Sequence, residues 1–218
     1  MNIEDIEKYS QKKTNQFFFD YEIKKNNWFN IGGKTKIYFK PETLNDLIEF
    51  LKLYKSRGKI FVIGAGSNVL FKDSLYEGVV IKLGKNFSRI SILNKNTIIS
   101  GSGILDKKLS EFALKNSIGG FEFLSCIPGT VGGGIRMNSG CFNMEFKDIL
   151  ISVQAIDKYG KIFTIPQNKI KFGYRTCDLP KDLIFLSATF KGNTKNKKLI
   201  EKQIVLLKRK KIKLSHLK

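Results

Sequence analysis

Hydrophobic and polar positions alternate along this chain with two periods, which predicts a mixture of strands and helices. The alternation at residues 35–40 predicts a strand, and Pro41 and Thr43 then begin a helix whose apolar side chains recur at helical spacing. A second strand is predicted at residues 59–64. A strand, a helix and a strand in this order are typical of a parallel crossover unit, in which ligands bind after the strands.

The rest of the chain continues the mixture. Residues 1–27 are polar and rich in Lys and Asn, which predicts a short helix over residues 3–12 and then a loosely attached arm. A helix at residues 105–117 has Leu109, Phe112 and Ala113 on its inward face. The further predictions are strands at 79–84, 88–93, 97–103, 169–175 and 183–192, a hairpin over 149–165 that turns at 158–160, and a basic helix at 194–214.

Composition adds one unusual feature, a strong positive charge. The chain has 39 Lys and Arg against 19 Asp and Glu, a formal net charge of +20, which favours anionic partners. Only five of the basic residues are Arg, whereas nucleic-acid-binding faces usually concentrate Arg beside aromatic side chains. A Lys-rich solvated surface is therefore preferred to a specific nucleic-acid interface. No apolar run is long enough to span a membrane, so we expect a soluble folded protein without a membrane partner.

The cysteine and histidine content predicts a cytoplasmic protein without a metal site. The three cysteines are widely spaced, and the N-terminal sequence lacks the features of a secretory signal. The single histidine is His216, and no cysteine pair has the spacing of zinc ligands. Small buried cysteines are more common than nucleophilic ones, so Cys126, Cys141 and Cys177 are given no catalytic role.

Two glycine-rich segments are the main indication of a ligand site. In GAGSN at residues 64–68, Gly64, Gly66 and Asn68 would let backbone N–H groups approach a phosphate, although the motif is not a Rossmann fingerprint. The second segment, IPGTVGGG, occupies residues 127–134. One glycine there is explained by a tight turn or by packing, but the group as a whole indicates a flat or anionic ligand; its members are Gly129, Gly132, Gly133 and Gly134, with Asn138 and Gly140.

An arginine at the predicted end of a strand is the candidate for charge stabilisation. Tyr174 and Arg175 close the sequence FGYR. A guanidinium group there offers a fixed fork for a carboxylate or for a developing oxyanion. A surface salt bridge is the alternative interpretation, and the residue alone does not decide between them.

Four segments in a fixed order resemble the UDP-N-acetylenolpyruvoylglucosamine reductase family of bacterial peptidoglycan synthesis. The resemblance extends over about residues 27 to 210, and its segments are NWFNIGG (27–33), VIGAGSNVLFKD (62–73), GFEFLSCIPGTVGGGIRMNSG (120–140) and FGYR (172–175). It implies an α+β fold, the two-lobed FAD-binding fold of the vanillyl-alcohol-oxidase type. The implied division is an arm (1–26), FAD-binding subdomains 1 (27–84) and 2 (85–193), and a basic helix (194–218) leading toward a third, substrate-binding domain that the chain lacks.

The resemblance also implies a reaction and a set of site residues. NADPH would reduce bound FAD, and the reduced flavin would pass a hydride to UDP-GlcNAc-enolpyruvate, giving UDP-N-acetylmuramate. Arg175 would stabilise the enolate-like intermediate beside the substrate carboxylate, and Tyr174 would line the same site. The implied flavin-binding residues are Gly64, Ala65, Gly66, Ser67, Asn68, Gly129, Thr130, Gly132, Gly133, Asn138 and Gly140.

Departures from the family pattern leave other functions open. The family's proton donor, a Ser or Cys, and a late Glu belong to a segment that has no match here, and Ser215 lacks the motif's context. Weak turnover is therefore expected. NSGCFN at residues 138–143 also replaces the family's N-A-G-A-Y-G. The alternatives are a reductase or oxidase of the same flavin fold with another substrate, and a basic nucleic-acid-binding protein. Oligomeric state is not readable from the sequence.

Overall fold

A computed structural model describes residues 3–13, 15–55 and 57–215, so that His216 lies outside the described residues. The described residues form helices α1 Glu4–Ser10, α2 Leu44–Tyr54, α3 Asp106–Lys115, α4 Val131–Arg136, α5 Phe146–Ile149 and α6 Lys197–Ser215. The strands are β1 Phe17–Glu22, β2 Lys34–Phe39, β3 Lys59–Val62, β4 Tyr76–Ile81, β5 Ile90–Asn94, β6 Thr97–Gly101, β7 Ile118–Gly119, β8 Gly140–Cys141, β9 Met144–Glu145, β10 Leu150–Ile156, β11 Ile162–Pro166, β12 Phe172–Gly173, β13 Thr176–Cys177, β14 Ile184–Lys191 and β15 Asn193–Thr194.

The chain folds into two compact units. The first comprises Met1–Phe87, Ala155–Phe163 and Pro180–Ile184. The second comprises Ser88–Gln154, Thr164–Leu179 and Phe185–Lys218. No helix in the described part of the chain is both long and apolar enough to cross a membrane.

The first unit contains a four-stranded sheet with the order β1-β2-β4-β3. Strands β2 and β3 both run parallel to β4, which confirms the parallel arrangement expected for the strand–helix–strand segment and places β4 between its two strands. Helix α2 begins after Thr43, whose hydroxyl accepts from the Asp46 N–H while the Asp46 carboxylate accepts from the Thr43 N–H. This reciprocal capping supplies partners for two N–H groups at the helix start.

The prediction of a loosely attached arm before residue 27 is wrong. Strand β1 lies at the edge of the first sheet, antiparallel to β2, with Phe17 opposite Phe39 and their rings stacked at 4.4 Å. Ile6 and Ile23, on either side of β1, are buried. The pairing of β1 with a strand almost twenty residues away is a long-range contact that local sequence patterns do not show. The polar residues on either side of β1 also favoured the prediction of an arm.

The second unit includes strands of a five-stranded sheet with the order β11-β10-β14-β6-β5. Strand β6 is antiparallel to both neighbours, β14 and β5. The predicted strands at 97–103 and 183–192, the hairpin of β10 and β11, and the basic helix α6 are confirmed. On α3, Leu109 and Ala113 are buried as predicted, whereas Phe112 is only partly buried.

Candidate functional site

The GAGSN segment follows β3 in the first unit and is held by the chain just before β2. Gly66 has a φ of +67°, a backbone conformation that favours glycine. A Cβ at Gly66 would lie 2.8 Å from the Cα of Asn27 and would overlap the Asn26 carbonyl oxygen. The N–H of Trp28 donates to the Gly66 carbonyl at 3.0 Å. The glycine at this position is therefore required by a turn and by backbone packing.

The surroundings of this loop carry exposed apolar and polar groups. Gly64, Ala65 and Ser67 are partly buried, and Asn68 is exposed. Trp28 is 63% exposed, which is unusual for so large an apolar side chain. The loop thus presents small residues beside an accessible aromatic ring, an arrangement suited to a ligand with both an anionic and an aromatic part.

The second glycine-rich segment is bound along the chain that follows β6. The N–H of Asp106 donates to the Gly129 carbonyl at 3.1 Å. In the opposite direction, the N–H of Val131 donates to the Ile104 carbonyl at 2.8 Å, and the N–H of Gly132 donates to the Ser102 carbonyl at 2.9 Å. These N–H groups are therefore occupied by the protein and are not available to a ligand.

The glycines of this segment, and Gly140 after it, differ in what an added side chain would meet. A Cβ at Gly132 would lie 3.1 Å from the Ser102 Cβ, and one at Gly134 would overlap the Phe146 ring. A Cβ at Gly140 would lie 2.6 Å from the Met144 carbonyl oxygen. At Gly133, by contrast, the backbone is exposed and the nearest atom would be the Thr130 hydroxyl at 3.7 Å.

Gly133 is therefore the position of this segment that best fits a cofactor surface. The packing at Gly134 corrects the inference that its missing side chain makes room for a ligand. Gly140 likewise has a packing reason, and its contact with a cofactor stays a prediction. At Gly129 an added Cβ would lie 3.0 Å from the Asp106 carboxylate, so this glycine also has a packing reason, and its contact with a cofactor also stays a prediction.

Asn138 is a buried residue whose side chain binds the protein itself. Its Nδ2 donates to the Glu145 carboxylate at 3.0 Å and to the Gly173 carbonyl at 3.3 Å. Its Oδ1 accepts from the Lys147 N–H at 3.1 Å. Because both ends of the amide are used in this way, and the Asn138 N–H donates to the Ile135 carbonyl at 3.1 Å, the predicted cofactor contact of Asn138 would fall to its backbone carbonyl.

Tyr174 and Arg175 lie at the tip of a short hairpin, so the prediction that they end a longer strand is wrong. Strands β12 and β13 pair over two residues each, and the two predicted site residues form the turn between them. Arg175 has a φ of +57°. Tyr174 is 86% exposed, and the guanidinium carbon of Arg175 lies 5.9 Å from its ring centroid. The tight turn projects both side chains away from the core.

A buried carboxyl group beneath the glycine-rich segment was not anticipated from the sequence. Asp106 is fully buried, and no hydrogen-bond partner for either of its carboxyl oxygens exists among the described residues. Burial raises its pKa to about 8. The hydroxyl oxygens of Ser102 and Ser110 are also buried without a hydrogen-bond partner among the described residues. The available signal was helical spacing, because Asp106 lies three residues before the inward-facing Leu109.

Comparison with protein families and solved structures assigns the fold. The FAD binding domain family matches residues 35–166. The p-cresol methylhydroxylase structure with substrate bound aligns over 89% of this chain and 44% of its own length, with a TM-score of 0.62 and 15% identity. Alkyldihydroxyacetonephosphate synthase aligns over 89% and 41%, with a TM-score of 0.64 and 13% identity. These similarities confirm the predicted α+β FAD-binding fold.

Closer relatives define the family. A UDP-N-acetylenolpyruvoylglucosamine reductase of Pelagibacter ubique is 62% identical over 97% of this chain and 70% of its own length. One from Rickettsia bellii is 48% identical over 81% and 59%. The Thermus caldophilus structure of this reductase has a TM-score of 0.77 at 25% identity, over 89% of this chain and 68% of its own.

The fold and these similarities define an FAD-dependent oxidoreductase. Within that class, the chain belongs to the UDP-N-acetylenolpyruvoylglucosamine reductase family. It spans 70% of the Pelagibacter relative and 59% of the Rickettsia relative. Among the described residues, no group of three or more His, Cys, Asp or Glu side chains could hold a metal ion.

Proposed function

We propose that this chain binds FAD and reduces the enolpyruvyl group of UDP-GlcNAc-enolpyruvate with electrons from NADPH. The observation that carries the proposal is the 62% identity with the Pelagibacter reductase across nearly the whole chain. FAD would accept a hydride from the nicotinamide and deliver one to the substrate carbon. The remaining chemistry would depend on residues of the protein.

The two glycine-rich segments contain the residues that would hold the cofactor. The exposed backbone at Gly133 leaves room for a flat or anionic group, because a Cβ there would meet no atom closer than 3.7 Å. In the first unit, residues 64–68 form a turn directly after β3, where backbone N–H groups suit a pyrophosphate. The predicted assignments of Ala65, Ser67 and Thr130 belong to the same proposal.

Arg175 would act on the substrate by electrostatics. Its guanidinium group is presented at an exposed hairpin tip and can bind a carboxylate through two parallel hydrogen bonds. The same charge stabilises the negative charge that develops when a hydride adds to the enolpyruvyl double bond. A guanidinium stays protonated, so Arg175 would not deliver the proton that completes the reduction. Tyr174, beside it, would line the substrate site.

Separate half-reactions test the proposal. The purified chain should show a flavin absorption spectrum, which NADPH should bleach under anaerobic conditions. Addition of UDP-GlcNAc-enolpyruvate should then restore the oxidised spectrum, with UDP-N-acetylmuramate as the product. A colourless protein that gains no flavin on incubation with FAD would refute cofactor binding. A flavoprotein that NADPH bleaches but this substrate never reoxidises would favour a different substrate on the same fold.

A further inference from the structure

We propose that Arg136 and Asn138 are positioning residues, which fix the hairpin carrying Tyr174 and Arg175 to the glycine-rich helix α4. The proposal rests on the proposed function, because it assigns a role to residues that hold Arg175. Neither residue would touch the substrate through its side chain. Their effect would be exerted on the placement of the guanidinium group.

Asn138 holds the strand that leads into the turn. Its Nδ2 donates to the carbonyl of Gly173, the residue directly before Tyr174. The orientation of the amide is determined by its other partners, since a carboxylate from Glu145 can only accept and the Lys147 N–H can only donate. The amide therefore cannot flip without losing these hydrogen bonds, and its donor stays directed at the hairpin.

Arg136 holds the strand that leaves the turn. Its guanidinium donates to the carbonyl of Leu179 at 2.9 Å and lies 3.9 Å from the Cys177 sulfur. The guanidinium carbon also lies 4.2 Å from the centroid of the Phe185 ring. A planar cation on an aromatic face with a carbonyl acceptor is a well-fixed arrangement. Arg136, the last residue of α4, and Asn138, two residues beyond it, thus contact both sides of the hairpin.

The hairpin needs such external support. Strands β12 and β13 pair over only two residues each, and so short a ribbon is not stable by itself in water. Arg175 at its tip adopts a left-handed backbone conformation, which a non-glycine residue keeps only when the surroundings enforce it. Loss of the contacts from Asn138 is therefore expected to release the turn and scatter the Arg175 guanidinium.

The Asn138→Gly variant removes the hydrogen bond to the Gly173 carbonyl together with those to the Glu145 carboxylate and the Lys147 N–H. Asn138 has a φ of +40°, a conformation that glycine also adopts, so the substitution removes the side chain without imposing backbone strain. Asn143→Gly is the matched control, because Asn143 has a φ of +64° and is exposed. Asn138→Asp serves as a second variant, since it keeps the acceptor for the Lys147 N–H but loses the donor to Gly173 and to the Glu145 carboxylate, which its own charge would repel.

Two readouts separate positioning from general stability. In the flavin-loaded chain, Asn138→Gly should slow flavin reoxidation by UDP-GlcNAc-enolpyruvate by about 10- to 100-fold, as expected for a displaced catalytic group. Flavin content and the rate of reduction by NADPH should match those of wild type. Asn138→Asp should behave like Asn138→Gly, and Asn143→Gly should behave like wild type. Equal losses in both half-reactions would instead indicate a merely structural role and overturn the proposal.

The second readout examines the hairpin without using activity. Cys177 is buried in β13, so its labelling by a thiol reagent, followed by peptide mass spectrometry, reports opening of the hairpin. Labelling should be about 5- to 10-fold faster in Asn138→Gly than in Asn143→Gly or wild type, as expected when a buried hydrogen bond is lost. Unchanged labelling overturns the proposal. A wild-type chain that the substrate never reoxidises contradicts the proposed function, while the Cys177 result still decides whether Asn138 holds the hairpin.

Discussion

The backbone N–H of Trp28 donates to the carbonyl oxygen of Gly66 at 3.0 Å, which places the single tryptophan of the chain beside the GAGSN loop. The indole is largely exposed, so a ligand bound at the loop can approach it. An aromatic side chain of this kind is a natural reporter for a flavin, because bound flavin quenches tryptophan emission at short range.

Titration of the flavin-free protein with FAD should therefore lower the fluorescence of Trp28. The expected curve is saturable and should agree with the flavin content obtained after gel filtration. Trp28→Phe should abolish the signal while FAD is still bound. An unchanged Trp28 emission in protein whose visible spectrum shows stoichiometric FAD would place the cofactor elsewhere.

Gly133→Val should weaken FAD binding while the flavin-free fold stays intact. The added side chain enters open space, because its Cβ meets no atom closer than 3.7 Å, and would occupy a cofactor surface. We expect flavin affinity to fall by about tenfold or more, equivalent to about 1.4 kcal/mol. Equilibrium dialysis with FAD and thermal denaturation of the flavin-free protein measure the two effects.

Gly134→Ala is the contrasting variant from the same helix. Its methyl group would overlap the Phe146 ring, so the free energy of unfolding should fall by about 1–3 kcal/mol even without flavin.

The assignment of Gly133 to the cofactor surface would be refuted by full flavin occupancy in Gly133→Val. Gly132→Val is less informative, since its side chain would press on Ser102.

The buried Asp106 predicts a stability that decreases as pH rises. Its carboxyl group has a pKa raised by burial to about 8 in the folded protein, whereas the unfolded chain ionises near the ordinary pKa of 3.8. Between these values unfolding releases a proton, so the destabilisation is absent below the lower pKa and grows until the upper one is passed. Asp106→Asn, which resembles the neutral acid, should escape this loss.

Urea denaturation of both proteins at about pH 5, 7 and 8 checks this expectation. The stability advantage of Asp106→Asn over wild type should increase with each step. Asp73→Asn, at an exposed position, should show no such trend. A constant difference across the pH range would mean that Asp106 is ionised in the folded protein and that a cationic or donor group stabilises its charge.

Arg175→Lys should impair the substrate half-reaction selectively. Lysine keeps the charge but lacks the planar fork that binds a carboxylate through two hydrogen bonds. We expect flavin reoxidation by UDP-GlcNAc-enolpyruvate to slow by about 10²-fold, with a higher KM, as for the removal of one oxyanion-stabilising group. Reduction by NADPH should be unchanged in stopped-flow absorbance. Arg209→Lys, on the exposed side of α6, is the control that should leave both steps intact.

The excess of Lys predicts weak, non-specific binding to nucleic acid. Any affinity for duplex DNA should fall steeply between low and physiological salt, because it arises from counterion release. Fluorescence anisotropy with two unrelated DNA sequences should give equal affinities at each salt concentration. Tight, sequence-selective binding at physiological salt would instead support the nucleic-acid-binding alternative.

Features that depend on neighbours in the chain were determined by the sequence alone. Pro41 and Thr43 indicate the start of α2, where Thr43 is the N-cap, and alternating runs around Gly160 indicate the β10–β11 hairpin. The glycine-rich segments and FGYR, in their fixed order, are enough to indicate the family. These features can be predicted from the sequence because helix periodicity, capping and turns depend on residues only a few positions apart.

Features that depend on distant partners were decided only by the tertiary structure. Gly134 is small because Phe146 packs on it, whereas Gly133, its neighbour, faces open space. The sequence predicts a cofactor ligand at Asn138, but the side-chain amide of this residue binds Glu145 and Gly173. Asp106 gains its altered pKa from complete burial. Each of these outcomes depends on contacts between residues that are distant in the sequence. A local sequence pattern does not determine such contacts, because they form only when the chain packs.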